Sequence, residues 1–160
     1  MDIDLKKYSE FVEAVTSKES NEMSSVIDRM YQIFYTYLLD ESGDVEHHWE
    51  HEFCVGHTPY LSVDSLLIRP GRITPPFFSA GGIGGIIQIH NWDGDILWEY
   101  MWANNDHQQH HDIALVPNGN ILFISYTRKT QEESLLAGKY LQNGDIWSES
   151  IFEISPEGSS

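Results

Sequence analysis

The chain has 160 residues, 41% of them hydrophobic, with 25 acidic and 9 basic residues and a formal net charge of −16. That length holds one domain with a core of its own, and a negative field of that size disfavours nucleic acid and anionic lipid surfaces as partners. The acids are spread along the chain, 13 against 4 bases in residues 1–57 and 12 against 5 in residues 58–160, so no half is a basic platform.

Cys54 is the only cysteine, so no intramolecular disulfide forms. The start, "MDIDLKKYSEFVEAV", lacks the basic and then apolar pattern of a secretory leader, and no segment has the run of about 18 apolar residues that a membrane helix needs. These features together predict a soluble cytoplasmic protein.

In chain order, residues 1–30 read as a helical extension, with Leu5, Tyr8, Phe11, Val12 and Val15 at three- and four-residue spacings. From residue 31 to 160 the texture is short apolar runs broken by turns, which predicts a mainly β domain. "LLDESGDVEHHW" (38–49), "YLSVDSLLIRPG" (60–71), "IIQIHNWDGDILWEY" (86–100) and "IALVPNGNILFISY" (113–126) each read as strand, turn, strand. Asp93-Gly94 and Asn118-Gly119 are strong hairpin signals, expected to place both central residues at positive φ. The two alternate turns Gly43 and Gly94 are 51 residues apart, near the length of a four-stranded propeller blade. The turns also alternate in character, as two hairpins per blade require. The expectation is a partial β-propeller of about two to three blades of antiparallel hairpins, with open sheet edges that invite self-association. Residues 127–148 read as a long excursion with a helical turn at "QEESLLAG".

Three stretches could carry chemistry. "HQQHHD" (107–112) offers imidazoles that can act as nucleophile, base or metal ligand. On a strand, His110 and His111 would point to opposite faces, and Asp112 could orient a ring or cap the following turn. The spacing lacks the ligand set of a structural zinc site, so no metal is assigned there. "EHHWEHEFCVGH" (46–57) places His47, Trp49 and His51 on one strand face and His48 and Glu50 on the other, a pattern that suits a solvated edge strand. "SAGGIGGII" (79–87) has neither the Lys-Ser/Thr of a P-loop nor a helix after it, so its glycines are read as allowing close backbone approach.

The run from "GGIIQIHNWDGDILWEY" into "QQHHDIALVPNGNILFISY", with "YLLDESGDVEHHWEH" before it and "GDIWSESIFEISPEG" after it, resembles the arylsulfotransferase (aryl-sulfate sulfotransferase) family over roughly residues 35–158. "HHDIALVPNGN" carries most of the likeness. The resemblance implies a six-bladed propeller. It implies sulfuryl transfer from a phenolic sulfate ester to a phenol through a sulfated histidine, with no nucleotide donor and no cofactor. By this likeness His110 and His111 are the catalytic candidates and Asp112 a substrate-binding one, while Arg128 is a candidate anion contact from its nearness to the motif. The family's nucleophilic histidine is expected in later blades, beyond residue 160, so the chemistry is expected to be incomplete in this chain. Two other readings stay open: a non-catalytic propeller fragment serving binding or assembly, and a metal-binding protein using the eight histidines.

Overall fold

The computed structural model describes residues 34–78, 80–140 and 144–156. The helical extension expected over residues 1–30 lies outside them. The described chain is mainly β and wholly antiparallel, in three sheets. β1 (Phe34–Leu39) pairs with β2 (Val45–His51). β3 (Tyr60–Leu61), β4 (Leu67–Arg72), β5 (Gly85–His90) and β6 (Ile96–Met101) form a four-stranded meander in that order. β7 (His107–Leu115), β8 (Ile121–Lys129) and β9 (Ile146–Ile154) form the third sheet, with a short helix, α1 (Gln131–Leu136), between β8 and β9.

Four connections share one hydrogen-bond pattern. Asp40, Ser62, Asn91 and Val116 each donate a backbone N–H to the carbonyl four residues on. Each also accepts from the N–H three residues on, at Gly43, Ser65, Gly94 and Gly119. That third residue alone sits at positive φ: 85°, 61°, 94° and 86° in turn. The hairpins therefore use a type I turn closed by one left-handed residue, not a two-residue turn with both central residues left-handed. Asp93 and Asn118 stay at ordinary φ, because the loop has one residue more than the tight hairpin needs. In three of the four, glycine takes the left-handed position at no steric cost. Asp40 and Asn91 add side-chain acceptors, the N–H of Asp44 meeting Asp40 Oδ1 at 2.9 Å and that of Asp95 meeting Asn91 Oδ1 at 2.8 Å.

The long excursion expected over 127–148 is shorter than the sequence suggests. β8 runs on to Lys129 and β9 starts at Ile146, because Thr127, Arg128 and Lys129 pair with Ser148, Trp147 and Ile146. Thr130 starts α1 through a reciprocal capping box with Glu133.

The register of β4 on β5 decides the layering. Ile68 faces the same side as Ile89, and Pro70 the same side as Ile87; Arg69 and Gln88 share the opposite side, as do Leu67 and His90. Both sides are buried, so burial along these strands is nearly continuous rather than alternating, polar residues included. On the first side Ile68 and Ile87 pack with Ile113, Ile121 and Phe123 of the third sheet to make the main core. On the second side lies the β1–β2 hairpin. Trp49 is 1% exposed there and donates its indole N–H to the Asn91 carbonyl at 2.9 Å.

Candidate functional site

Strand β7 begins by pairing with β8 in order, His110 opposite Ile124, and then slips, so that Ile113 is opposite Phe123. The slip is a bulge at His111 and Asp112, and His111 takes φ of 50°. A β-bulge turns a side chain out of its alternating direction. The two histidines accordingly do not point to opposite faces. Their rings meet edge to face, with His110 Nδ1 2.6 Å from His111 Nδ1. One of these nitrogens carries the proton and the other accepts it, since two lone pairs or two N–H groups would repel at that distance. A non-glycine residue at positive φ stores backbone strain, a feature that recurs at functional positions.

The surroundings treat the two rings differently. His110 is 1% exposed, stacks on Tyr126 with centroids 3.6 Å apart, and has no partner at Nε2. Burial first, and then the neighbouring His111, hold its pKa below the ordinary imidazole range, against the weaker pull of Glu149. His111 is half-buried under the glycine segment. A Cβ at Gly82 would come within 2.9 Å of His111 Cγ and Nδ1, and one at Gly81 within 3.1 Å of Cε1. The glycines thus allow the close approach expected of them, and what they approach is the His111 ring. His57, exposed, brings its ring to 5.8 Å from that of His111.

Two glutamines that the sequence reading passed over hold the glycine segment in place. Gln109 Oε1 accepts from the Gly85 N–H at 2.9 Å, and Gln108 gives its amide N–H to the Gly84 carbonyl at 2.9 Å and accepts from the Phe77 N–H at 3.1 Å. Both are fully buried. Their signal in the sequence is a pair of adjacent uncharged polar residues near the start of a strand, immediately before the two histidines.

Asp112 accepts the Tyr60 hydroxyl at 2.8 and 2.9 Å on its two oxygens and the Ile113 N–H at 2.9 Å. It joins β3 to β7 and makes no hydrogen bond to either histidine. Arg128 is four positions along β8 from Ile124, the partner of His110. Its Nε meets Asp145 Oδ2 at 2.6 Å, its Nη2 meets the same oxygen at 2.5 Å, and Nη1 lies 3.8 Å from Asp106. The described residues thus bring His110 and His111 together and engage Asp112 and Arg128 elsewhere.

A second polar centre lies between β1–β2 and the meander. Arg69 and His90 are buried at 0% and 2% exposure, with His51 beside them at 5%. The sequence pattern of residues 46–57 suggests a solvated edge strand, but His51 is not solvated. It is buried because Trp49 and His51 are the hairpin residues that face the meander. Among the described residues no group of three or more His, Cys, Asp and Glu is placed to hold a metal ion. No helix among them is long and apolar enough to cross a membrane.

No family model, curated protein or solved structure matches the chain.

Proposed function

We propose that the chain is part of an arylsulfotransferase-type β-propeller, in which the four-stranded meander is one blade and β1–β2 and β7–β9 are parts of its neighbours. His111, backed by His110, is the imidazole that serves sulfuryl transfer from a phenolic sulfate to a phenol. The observation that carries this reading is the 2.6 Å contact between the two Nδ1 atoms, with one ring buried and the other half-buried. His110 is kept neutral by burial. When His111 donates its Nδ1 proton to His110, its own Nε2 holds a lone pair for attack or for taking a phenol proton.

Sulfuryl transfer asks for positioning and for stabilisation of charge on the transferred group's oxygens, as phosphoryl transfer does. With His111 as base, the acceptor phenol loses its proton to Nε2 as its oxygen forms the new bond to sulfur. The bond from sulfur to the departing phenol oxygen breaks, and the proton returns to that phenolate from the imidazolium. Atoms and charge balance over the cycle. The glycine segment 80–82 must lift from His111 for a substrate to reach Nε2, and its tie to Tyr126 is a long one, the Gly81 N–H to the phenol oxygen at 3.4 Å.

The test is release of nitrophenolate from 4-nitrophenyl sulfate by the purified chain. Because transfer with His111 as base needs no histidine beyond residue 160, the expected result is release that depends on added phenol, with the aryl sulfate of that phenol as product. Folded protein that releases none overturns the reading.

One observation favours a non-catalytic assembly role as a second reading. Large apolar residues stand exposed on strands β6 and β9 and around α1: Leu97, Ile151, Leu136 and Tyr140, the last at 93%. β6 and β9 are edge strands of their sheets, and exposed apolar edges pair with other chains. Concentration-dependent self-association with no transfer activity is the outcome that selects this reading.

A further inference from the structure

The second polar centre contains a buried cation without a carboxylate against it. Arg69 is 0% exposed, and its Nη1 donates to Gln88 Oε1 at 3.0 Å and its Nη2 to the Phe53 carbonyl at 2.8 Å, both neutral acceptors. Its Nε–H has no partner. Glu99 is reached only through Gln88, whose amide N–H it accepts at 2.7 Å. Buried charges in proteins are normally paired, because an uncompensated one costs several kcal/mol. Here the carboxylate that the hydrogen bonds lead to, Glu99, is one side chain away.

Two more buried atoms with no partner belong to the same centre. His90 Nδ1 is 3.2 Å from the Gly94 carbonyl, which can only accept, so the proton is on Nδ1 and Nε2 carries a lone pair with nothing bonded to it. His51 Nε2 meets Thr36 Oγ1 at 2.9 Å, and its Nδ1 is without a partner. The two rings pack edge to face with centroids 4.8 Å apart. Burial foremost, then the charge of Arg69, pushes His51 down to about 3, and burial likewise lowers His90 despite the opposing pull of the Gly94 carbonyl and Glu99. Both rings are therefore neutral at pH 7. Burial lowers Arg69 to about 10, with Cys54 acting the other way, which leaves it charged.

We propose that Arg69, His90 and His51 form an inter-sheet site for a small oxyanion that carries its own hydroxyl proton, of the hydrogencarbonate or hydrogenphosphate type. The chemistry of the unpartnered atoms selects that class. Arg69 Nε–H needs an acceptor and a negative charge. His90 Nε2 needs a donor. An oxyanion with one ionised oxygen and one hydroxyl supplies both at once, whereas sulfate and chloride supply only the first and face the lone pair of a ring that resists protonation. The net charge of −16 makes the protein surface a poor general attractor of anions, so binding depends on this one cation. The site is separate from the His110–His111 pair and stands whether or not that pair transfers sulfuryl groups.

The experiment measures thermal unfolding of the full chain at pH 7.5 in potassium hydrogencarbonate, phosphate, sulfate and chloride at matched ionic strength. The expected result is a saturable rise in Tm with hydrogencarbonate, phosphate or both, on the order of 5–10 °C at a hundredfold excess over the dissociation constant. Sulfate and chloride follow a common unsaturating trend. Phosphate failing where hydrogencarbonate succeeds identifies the smaller ligand. Arg69→Met removes the saturable part. Because that variant can fail to fold, the wild-type imidazole 15N signals are followed in the same titrations, with His90 Nε2 expected to move saturably as it gains a hydrogen bond. Four identical trends, saturation that sulfate matches, or a His90 signal that does not move overturns the proposal.

Discussion

The two sides of the four-stranded meander are buried to the same degree by opposite chemistry. Toward β7–β9 it presents Ile68 and Ile87 to Ile113, Ile121 and Phe123. Toward β1–β2 it presents Arg69, Gln88 and His90 to Trp49 and His51. The apolar side gains stability from every area removed from water, while the polar side must first satisfy each group it desolvates. It does so incompletely: Arg69 Nε, His51 Nδ1 and His90 Nε2 are left over. One side of this sheet is built to hold the fold, and the other spends stability on polar groups.

Truncation on the apolar side should have the largest effect. Phe123→Ala removes a ring that is 1% exposed and touches Trp102 and Phe152, and should cost about 3–5 kcal/mol in chemical denaturation. Ile87→Ala, at 0% exposure, should cost about 2–5 kcal/mol. A loss under about 1 kcal/mol at both positions would mean that the core does not sit between these sheets.

Acid should act through the buried histidines instead. His51, His90 and His110 have folded pKa values below the ordinary 6.5. The unfolded chain therefore binds more protons than the folded one, and stability present above pH 6.5 is lost as pH falls toward about 3, where His51 titrates in the fold. Denaturation midpoints measured across that range should fall with pH, and His51→Phe should flatten the slope. An unchanged slope in that variant would place the sensitivity in other groups.

The glycine cover of His111 gives a smaller and more local effect. Gly82→Ala puts a Cβ against the His111 ring, so the ring or the segment must shift. Transfer activity should fall at least tenfold while the unfolding midpoint moves little. Arg128→Ala should do least. Its ion pair with Asp145 is partly exposed, and such pairs contribute about 0.2–1 kcal/mol.

Much of the sheet was legible in the sequence because turn chemistry is local. Gly43, Gly94 and Gly119 mark three hairpins by residue type alone, and all three take the left-handed conformation. Ser65 marks the fourth less plainly, since serine reaches φ of 61° only with strain. The sides of the strands were harder to read. "LLIRPG" and "IIQIH" show a polar residue inside an apolar run, yet only the register that sets Arg69 beside Gln88 reveals a buried polar layer, and register is a long-range property. The same limit hid the His110–His111 contact: strand alternation separates adjacent side chains, and nothing in "HQQHHD" announces the bulge that brings them together.

The central claim is that His111 reacts and His110 supports it, and one comparison tests it most directly. His111→Asn and His110→Asn are assayed beside the wild type for phenol-dependent nitrophenolate release, with circular dichroism to establish that each is folded. The account predicts that His111→Asn loses release entirely. His110→Asn should keep a residual rate, lowered by 10-fold or more, because a general base that has lost its orienting partner still has its lone pair, on the order of the 10²–10⁴-fold such groups contribute. Release that survives in folded His111→Asn would contradict it.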